Sequence, residues 1–357
     1  MRRGRERPSR LRAAAVLVVV LAATAAVAES SASRVAPAAA QRAVPSEVVL
    51  AHGLSRPTGL AFSPRDGSLW IVNNAPRGQQ DYTVVVRSGA LGGLDDVKRF
   101  DDDSWHYLAR PMAIAFSPTL WEHATAGLIG GGPTLWTSEE KDFRGGKESH
   151  LDMVHHSELS VGIAAGADDE RREYWVVNGH RGSLDRYFFN EPHELGGMNH
   201  ADGMVYRYSA RSLKYVPRIP AHVAFDRASG RVFVADTGNG RIGVLRPGPV
   251  PENAKQLPST VRGVPERLFD APGPRITTLA RGLRQPSGLL LHRNRLLVGE
   301  YATGRIVVLT LSGKRVRTVD TGLGPNALTG IAADVRGRIH VLDAKRNRVL
   351  RLSVSLP

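Results

Sequence analysis

The chain has 357 residues, with 48 Lys plus Arg against 34 Asp plus Glu, a formal net charge of +14, and no cysteine. The missing cysteines exclude a disulfide framework and a lipoprotein-type thioether anchor. The basic residues are scattered, with no aromatic-interleaved basic stripe, so nucleic acid is not an expected partner. Contact with anionic envelope polymers or lipid head groups is merely permitted.

Residues 1–12 carry six arginines and one glutamate, and 13–28 form an uncharged apolar run, AAAVLVVVLAATAAVA, ending in Ala26-Val27-Ala28. A basic region, an apolar region and an Ala-x-Ala site describe a secretory signal peptide over 1–28. An uncleaved membrane anchor is the rival reading, but the run is short of the about 20 residues that a spanning helix needs. Export without cysteines suits a bacterium, and the expected location is secreted, periplasmic or cell-envelope, with no stable membrane span after cleavage. Residues 29–45 are Ala-, Ser- and Pro-rich without periodicity and read as a flexible spacer. The remainder, 46–357, is long enough for one large core or two small ones.

That remainder is repetitive. Residues 219–245 read IPAHVAFDRASGRVFVADTGNGRIGVL: two runs of alternating apolar and polar residues, separated by Ser229-Gly230 and closed by 236–240. Period-two alternation punctuated by Gly, Asn and Asp predicts short antiparallel strands joined by tight turns. The RVFVAD element recurs as SLWIVN to Asn73, TLWTSE to Glu139, EYWVVN to Asn178, RLLVGE to Glu300 and RIHVLD to Asp343. Ahead of each lies an entry strand: PTGLAF from Pro57, PMAIAF from Pro111, SVGIAA from Ser160, PAHVAF from Pro220, PSGLLL from Pro286 and LTGIAA from Leu328. Six such units predict an all-β fold, a six-bladed β-propeller of four-stranded antiparallel blades. The last unit lacks an outer strand, which residues 47–51 (EVVLA) are expected to supply, closing the ring. A helical repeat is the alternative class. No 3.6-residue pattern supports it, and 37 glycines and 22 prolines oppose it.

The motif P-x-G-L-A-F, then L-W-I-V-N or V-F-V-A-D, then N-G-R-I, resembles the NHL/SMP-30 (TolB-like) group of six-bladed propellers across essentially the whole mature chain. That resemblance implies the fold and leaves the activity open, since the group includes lactonases, amidating lyases, synthases and plain binding scaffolds. The SHLDM-H, NG-x-x-G-x-x-DRY, PH-x-x-GG-x-x-H-x-DG and P-x-H segments are similar to an exported bacterial group of NHL-like propellers. SMP-30-like lactonases place a carboxylate early in the first entry strand, where this chain has Thr58-Gly59. Amidating lyases take zinc with histidines from several entry strands, where only His222 stands near such a position. Neither pattern transfers intact.

Equivalent positions separate scaffold from chemistry. Asn73, Glu139, Asn178, Asp236, Glu300 and Asp343 close the second strands, and their short polar side chains are expected to accept turn N–H groups. The third residue of the entry strands is Gly59, Ala113, Gly162, Gly288 and Gly330, but His222 in the fourth. His is both the common metal ligand and the side chain that titrates nearest pH 7. In blade two, His150, Asp152 and His156 are expected to alternate onto one strand face, a surface suited to metal binding or proton transfer. Blade three carries an insertion, 190–203, with His193, Glu194, His200 and Asp202. Nine of the twelve histidines fall between His106 and His222.

Gly-rich stretches at 89–93 and 130–132 lack the strand–loop–helix context and the Lys-Ser/Thr of a phosphate loop. No G-x-S-x-G elbow occurs. The acidic run Asp95-Asp96 and Asp101-Asp102-Asp103 reads as a solvated loop, with peripheral Ca²⁺ as the alternative. Two functions are carried forward. One is an exported scaffold, monomeric, that binds a small molecule or a protein on a face built from blades two to four. The other is a metal-dependent lactonase, hydrolase or lyase at the central channel. It would use Ca or Zn, with His222, His150, Asp152, His200 and Asp202 as ligands and His222, Arg186 and Tyr187 as catalytic candidates.

Overall fold

Second strands rich in Trp, Val, Ile and Leu are suited to burial on both faces, and that is how they are used. The computed structural model describes residue 44 and residues 46–77, 79–88, 94–100, 108–128, 131–143 and 149–353. The expected signal peptide, nearly all of the expected spacer and the acidic residues 101–103 lie outside the described residues.

Six sheets form the blades of a propeller. Blade one runs Pro57–Phe62, Leu69–Asn73, Tyr82–Ser88, Leu94–Phe100. Blade two runs Pro111–Phe116, Glu122–Gly127, Thr134–Thr137, His150–Met153. Blade three runs Ser160–Ala165, Glu173–Asn178, Ser183–Phe188, Met204–Tyr208. Blade four runs Val223–Asp226, Arg231–Asp236, Arg241–Leu245, Thr277–Arg281. Blade five runs Pro286–His292, Arg295–Glu300, Arg305–Thr310, Arg315–Asp320. Blade six takes Leu328–Ala333, Ile339–Asp343 and Arg348–Leu352, and its outer strand is Ser46–Leu50. That strand pairs antiparallel with Arg348–Leu352, Ser46 opposite Leu352. An ion pair between Glu47 and Arg351 lies on the same seam. Closure therefore joins the two ends of the propeller without a covalent bond.

The core is divided among the gaps between blades. Six buried apolar clusters are found among the described residues, five spanning two neighbouring sheets and one joining blades three and four with Met112 of blade two. Trp70 and Trp136 fill the gap between blades one and two, and their indole N–H groups reach Ser68 Oγ at 2.9 Å and Thr125 Oγ1 at 2.8 Å. Each large side chain buried this fully contributes about 1.5–3 kcal/mol through the hydrophobic effect. Glycine near the axis is a packing requirement: a Cβ on Gly162 would strike the Ala221 carbonyl of blade four.

Asp95 and Asp96, expected in a loop, lie instead on the outer strand of blade one, Leu94–Phe100, where Asp96 pairs with Arg87 in the ladder. Two further expectations are corrected. In blade two the second strand is Glu122–Gly127, with Gly127 opposite Pro111, and TLWT is the third strand. Glu139 therefore does not belong to the set that closes the second strands. Gly127 occupies that register, where a Cβ would press on the Ala109 carbonyl at 2.6 Å. The strand EHATAG packs through small residues, Ala124 and Ala126, and so lacks the bulky apolar signature of its sisters. The other five members do serve the blade, each accepting a backbone N–H: Asn73 from Ser55, Asn178 from Arg181, Asp236 from Lys214, Glu300 from Arg284 and Asp343 from Arg346. The second correction concerns His156. The outer strand of blade two ends at Met153, and His156 has φ 80°, which turns it away from the face of His150 and Asp152.

Candidate metal centre

In a four-stranded antiparallel blade, the first-to-second and third-to-fourth connections emerge at the same end. The long third-to-fourth connections belong to blades two, three and four. In blade three it is 189–203. In blade four it is 246–276, which runs back to blade three and adds Arg267–Asp270 parallel to Met204–Tyr208, with Lys255–Gln256 beyond it. The outer edge of blade three is thus covered, and these two connections converge on the outer strand of blade two.

The blade-three insertion is held shut at its base and folded over at its tip. Asn190, at φ 56°, donates from Nδ2 to Asp202 O at 2.6 Å, and Glu191 N donates to Asp202 Oδ2 at 2.6 Å. At the tip, Gly196 N donates to His150 O at 3.1 Å, and His150 Nε2 pairs with Gly197 O at 2.9 Å. Gly197 must be glycine here, because a Cβ would sit 2.7 Å from the His193 ring. This fold lays the rings of His150, His193 and His200 side by side, with centroids 5.1 and 5.2 Å apart.

Asp152 lies beneath them, fully buried. Its Oδ1 accepts from Met153 N at 2.6 Å and pairs with His200 Nδ1 at 2.6 Å, while Oδ2 is buried with no partner among the described residues. Burial pushes this carboxyl above the ordinary aspartate range, partly offset by the His200 hydrogen bond. His193 Nδ1 lies 2.7 Å from Glu194 O. A carbonyl can only accept, so Nδ1 carries the proton and Nε2 the lone pair, the second-sphere arrangement typical of histidine metal ligands. That Nε2 is buried and also lacks a hydrogen-bond partner. Asp152, His193 and His200 each offer one ligand atom, all within 4.8 Å of one another. Zinc–ligand bonds of about 2.0–2.2 Å bring such atoms to roughly 3–4 Å apart, a contraction within reach of side-chain rotation. The donors present fit a divalent transition metal.

Glu266 arrives on the blade-four excursion. Its Oε1 meets His155 Nδ1 at 2.7 Å, and the His155 and His200 rings lie 6.1 Å apart. Burial pushes the Glu266 carboxyl up, but hydrogen bonding and the charge of His155 outweigh it and leave the group below its usual range. His156 completes the seam, with Nε2 3.1 Å from Glu266 O and Nδ1 3.2 Å from Thr260 Oγ1.

Of the residues expected from sequence, Asp152 and His200 are together, with His150 packed against the same loop. Asp202 is engaged in closing that loop. His222 stands elsewhere, on the axis: its N donates to Ser287 O of blade five at 3.1 Å, and its Nε2 reaches Met112 O of blade two at 3.3 Å. The innermost and outermost strands of a blade are three spacings apart, about 14 Å. Met112 and Asp152 lie on those two strands of blade two, so His222 shares no mononuclear site with Asp152. Burial lowers the His222 pKa to about 4, so it is a neutral plug at neutral pH. It lines an axial cavity of about 280 Å³ with aliphatic entry-strand residues such as Leu60, Ile163 and Ile331. Arg186 is ion-paired with buried Glu173 at 2.9 Å. Tyr187 is fully buried, donates to His155 O at 2.9 Å, and burial holds its hydroxyl well above the ordinary tyrosine range.

Sequence reasoning missed Glu266 and left His193 outside the ligand set. The PH-x-x-GG-x-x-H spacing was the available signal for His193. Glu266 has none, because a parallel pairing between the blade-four connection and the outer strand of blade three leaves no local pattern.

No protein-family model matches the chain, and no curated protein matches it. Solved structures do. A calcium-binding protein, regucalcin, from Agrobacterium tumefaciens is similar with TM-score 0.55 and 12% identity, over 87% of this chain and 94% of that one. A streptogramin B lyase gives 0.51 and 13%, over 87% and 97%. A putative oxidoreductase (glucose dehydrogenase) from Thermus thermophilus gives 0.53 and 18%, over 87% and 99%. At these identities the likeness is one of fold: the chain shares the six-bladed propeller of this group, whose members include both binding proteins and enzymes.

Proposed function

We propose that this chain is an exported ligand-binding propeller. Its working face is built from the long connections of blades two to four, and its recognition chemistry centres on a divalent metal held by Asp152, His193 and His200. One observation carries the reading: two buried polar atoms, Asp152 Oδ2 and His193 Nε2, lack partners inside a group whose ligand atoms already lie within 4.8 Å. A buried polar atom left unsatisfied costs about 1–3 kcal/mol, and coordination would remove that cost. Two imidazoles and one carboxylate suit zinc, whereas calcium takes 6–8 oxygens. The basic and apolar N-terminal run supports export.

Elemental analysis of the purified mature protein tests this, with Asp152→Ala and His222→Ala alongside. The expected result is one zinc per chain in the parent and in His222→Ala, and none in Asp152→Ala. A metal-free parent that stays metal-free after zinc addition overturns the reading.

The donor count favours a second reading. Three protein ligands leave a tetrahedral ion one open position, the pattern of catalytic rather than structural zinc sites. Metal-dependent hydrolysis or lyase chemistry would then take place at this outer site and not on the axis. Turnover of a lactone and ester panel that requires zinc and disappears in Asp152→Ala is the outcome that selects it.

A further inference from the structure

Blades three and four are separated, at the end where their first and second strands meet, by a groove of about 390 Å³. That lies within the about 300–1,000 Å³ typical of small-molecule sites. We infer that this groove binds a small organic monocarboxylate, through Arg186 and Arg246, independently of the metal centre.

Arg186 is a fixed cation. Its guanidinium carbon lies 5.3 Å from the Trp175 ring and 5.0 Å from the Phe188 ring, and Nε donates to Glu173 Oε1 at 2.9 Å. Nη1 reaches Gly248 O only at 3.4 Å. Glu173 is in turn held in place: Oε2 accepts the backbone N–H groups of Ala167 at 3.2 Å and Asp168 at 3.0 Å. Its carboxylate orients Arg186, and the Arg186 guanidinium balances its charge. Arg246, exposed on the same wall, makes no ion pair or hydrogen bond among the described residues.

Two guanidinium groups against one carboxylate leave the groove with one uncompensated positive charge. A monoanion balances it, whereas a doubly charged phosphate would bring a surplus negative charge toward Glu173. The planar guanidinium fork matches a carboxylate. The rest of the lining suits an organic group. Phe225 and Pro247 provide apolar wall, and Gly230 and Gly248 have open space where a side chain would project. Trp175, packed against Arg186, gives the site an intrinsic fluorophore.

Benzoate is the probe, with benzamide as its neutral isostere and inorganic phosphate as the rival anion. They are titrated into the full chain by calorimetry and tryptophan fluorescence. Benzoate is expected to bind saturably at one per chain, more weakly as salt is raised, and benzamide and phosphate not to bind. Arg246→Ala, with unchanged thermal unfolding in the absence of benzoate, should lose about tenfold or more in affinity, the value of a charge-assisted hydrogen bond. Asp152→Ala should bind benzoate as the parent does, which separates this site from the metal reading whichever way that is decided. The proposal is overturned by absence of benzoate binding, by equal binding of benzamide, by binding of phosphate in place of benzoate, or by parent-like affinity in Arg246→Ala.

Discussion

Replacing His222 by Gln should make the propeller less sensitive to acid. The imidazole plugs the axis between blades four and two, where burial lowers its pKa to about 4, against about 6.5 in the unfolded chain. Because the folded value is depressed, the unfolded state takes up the proton first. The stability that neutral His222 provides is fully present above pH 6.5 and drains away as the pH falls toward 4. Linkage puts the loss between pH 7 and pH 5 at about 2 kcal/mol for this one residue. Gln keeps a donor for the Met112 carbonyl and has no proton to gain. Urea unfolding of parent and His222→Gln at both pH values gives the double difference, which cancels any cost of the substitution itself. Two other buried histidines, His123 at about 3 and His340 at about 4, both lowered by burial, keep titrating in the variant. The variant should therefore remain acid-sensitive, but by about 2 kcal/mol less. Equal losses in the two proteins would refute the argument, because they would mean that His222 titrates in the fold as it does in the unfolded chain.

Three further outcomes are expected. His193→Ala should weaken zinc binding by more than the 10–100-fold that loss of an outer-sphere partner typically costs, measured by competition with a chromophoric chelator; parent-like affinity removes His193 from the site. Glu266→Gln should loosen the blade-four excursion by about 1.5–3 kcal/mol, the range for a hydrogen bond to a charged group. Faster proteolysis within 249–265 at unchanged global unfolding is the readout, and parent-like cleavage would show that His155 does not anchor the excursion. Removing residues 1–50 strips blade six of its outer strand and leaves Arg348–Leu352 as an unpaired edge, so a lowered melting temperature and self-association are expected. A monomer that melts like the parent would mean that the strand does not close the ring.

The fold was legible because each blade repeats one local pattern, and the reading failed where that pattern was diluted. TLWT in blade two has the Leu-Trp pair that marks second strands elsewhere, while the true second strand packs through Ala124 and Ala126 and carries no such mark. The alternation of His150 and Asp152 was readable up to Met153, but a left-handed backbone at His156 falls outside any period-two rule. His222 was conspicuous as an imidazole in a column of Gly and Ala, but its chemistry is set by burial among entry strands of several blades, which no local window contains. Glu266 was illegible for the same reason, on a larger scale.

The distribution of unsatisfied groups bears on where chemistry can reside in this ring. The gaps between blades are filled so closely that Gly162 has no room for a methyl group, and the polar residues that close the second strands spend their side chains on turns. An outer strand has one edge not covered by its own blade, and the outer edges of blades two and three are covered by chain that the repeat does not require. Beneath that cover lie Asp152 Oδ2, His193 Nε2 and Glu266 Oε2, three of the buried polar atoms without partners among the described residues; others, Tyr174 Oη and Trp175 Nε1 among them, lie on the strands of blade three. At about 1–3 kcal/mol each, the three beneath the cover concentrate a cost comparable to a sizeable part of the 5–15 kcal/mol stability of an ordinary domain. Loops that served only to cover apolar surface could bury aliphatic side chains there at no such cost. A cation shared by Asp152 and His193 would offset two of the three, and Glu266, already bonded to His155, is placed to hold the second sphere.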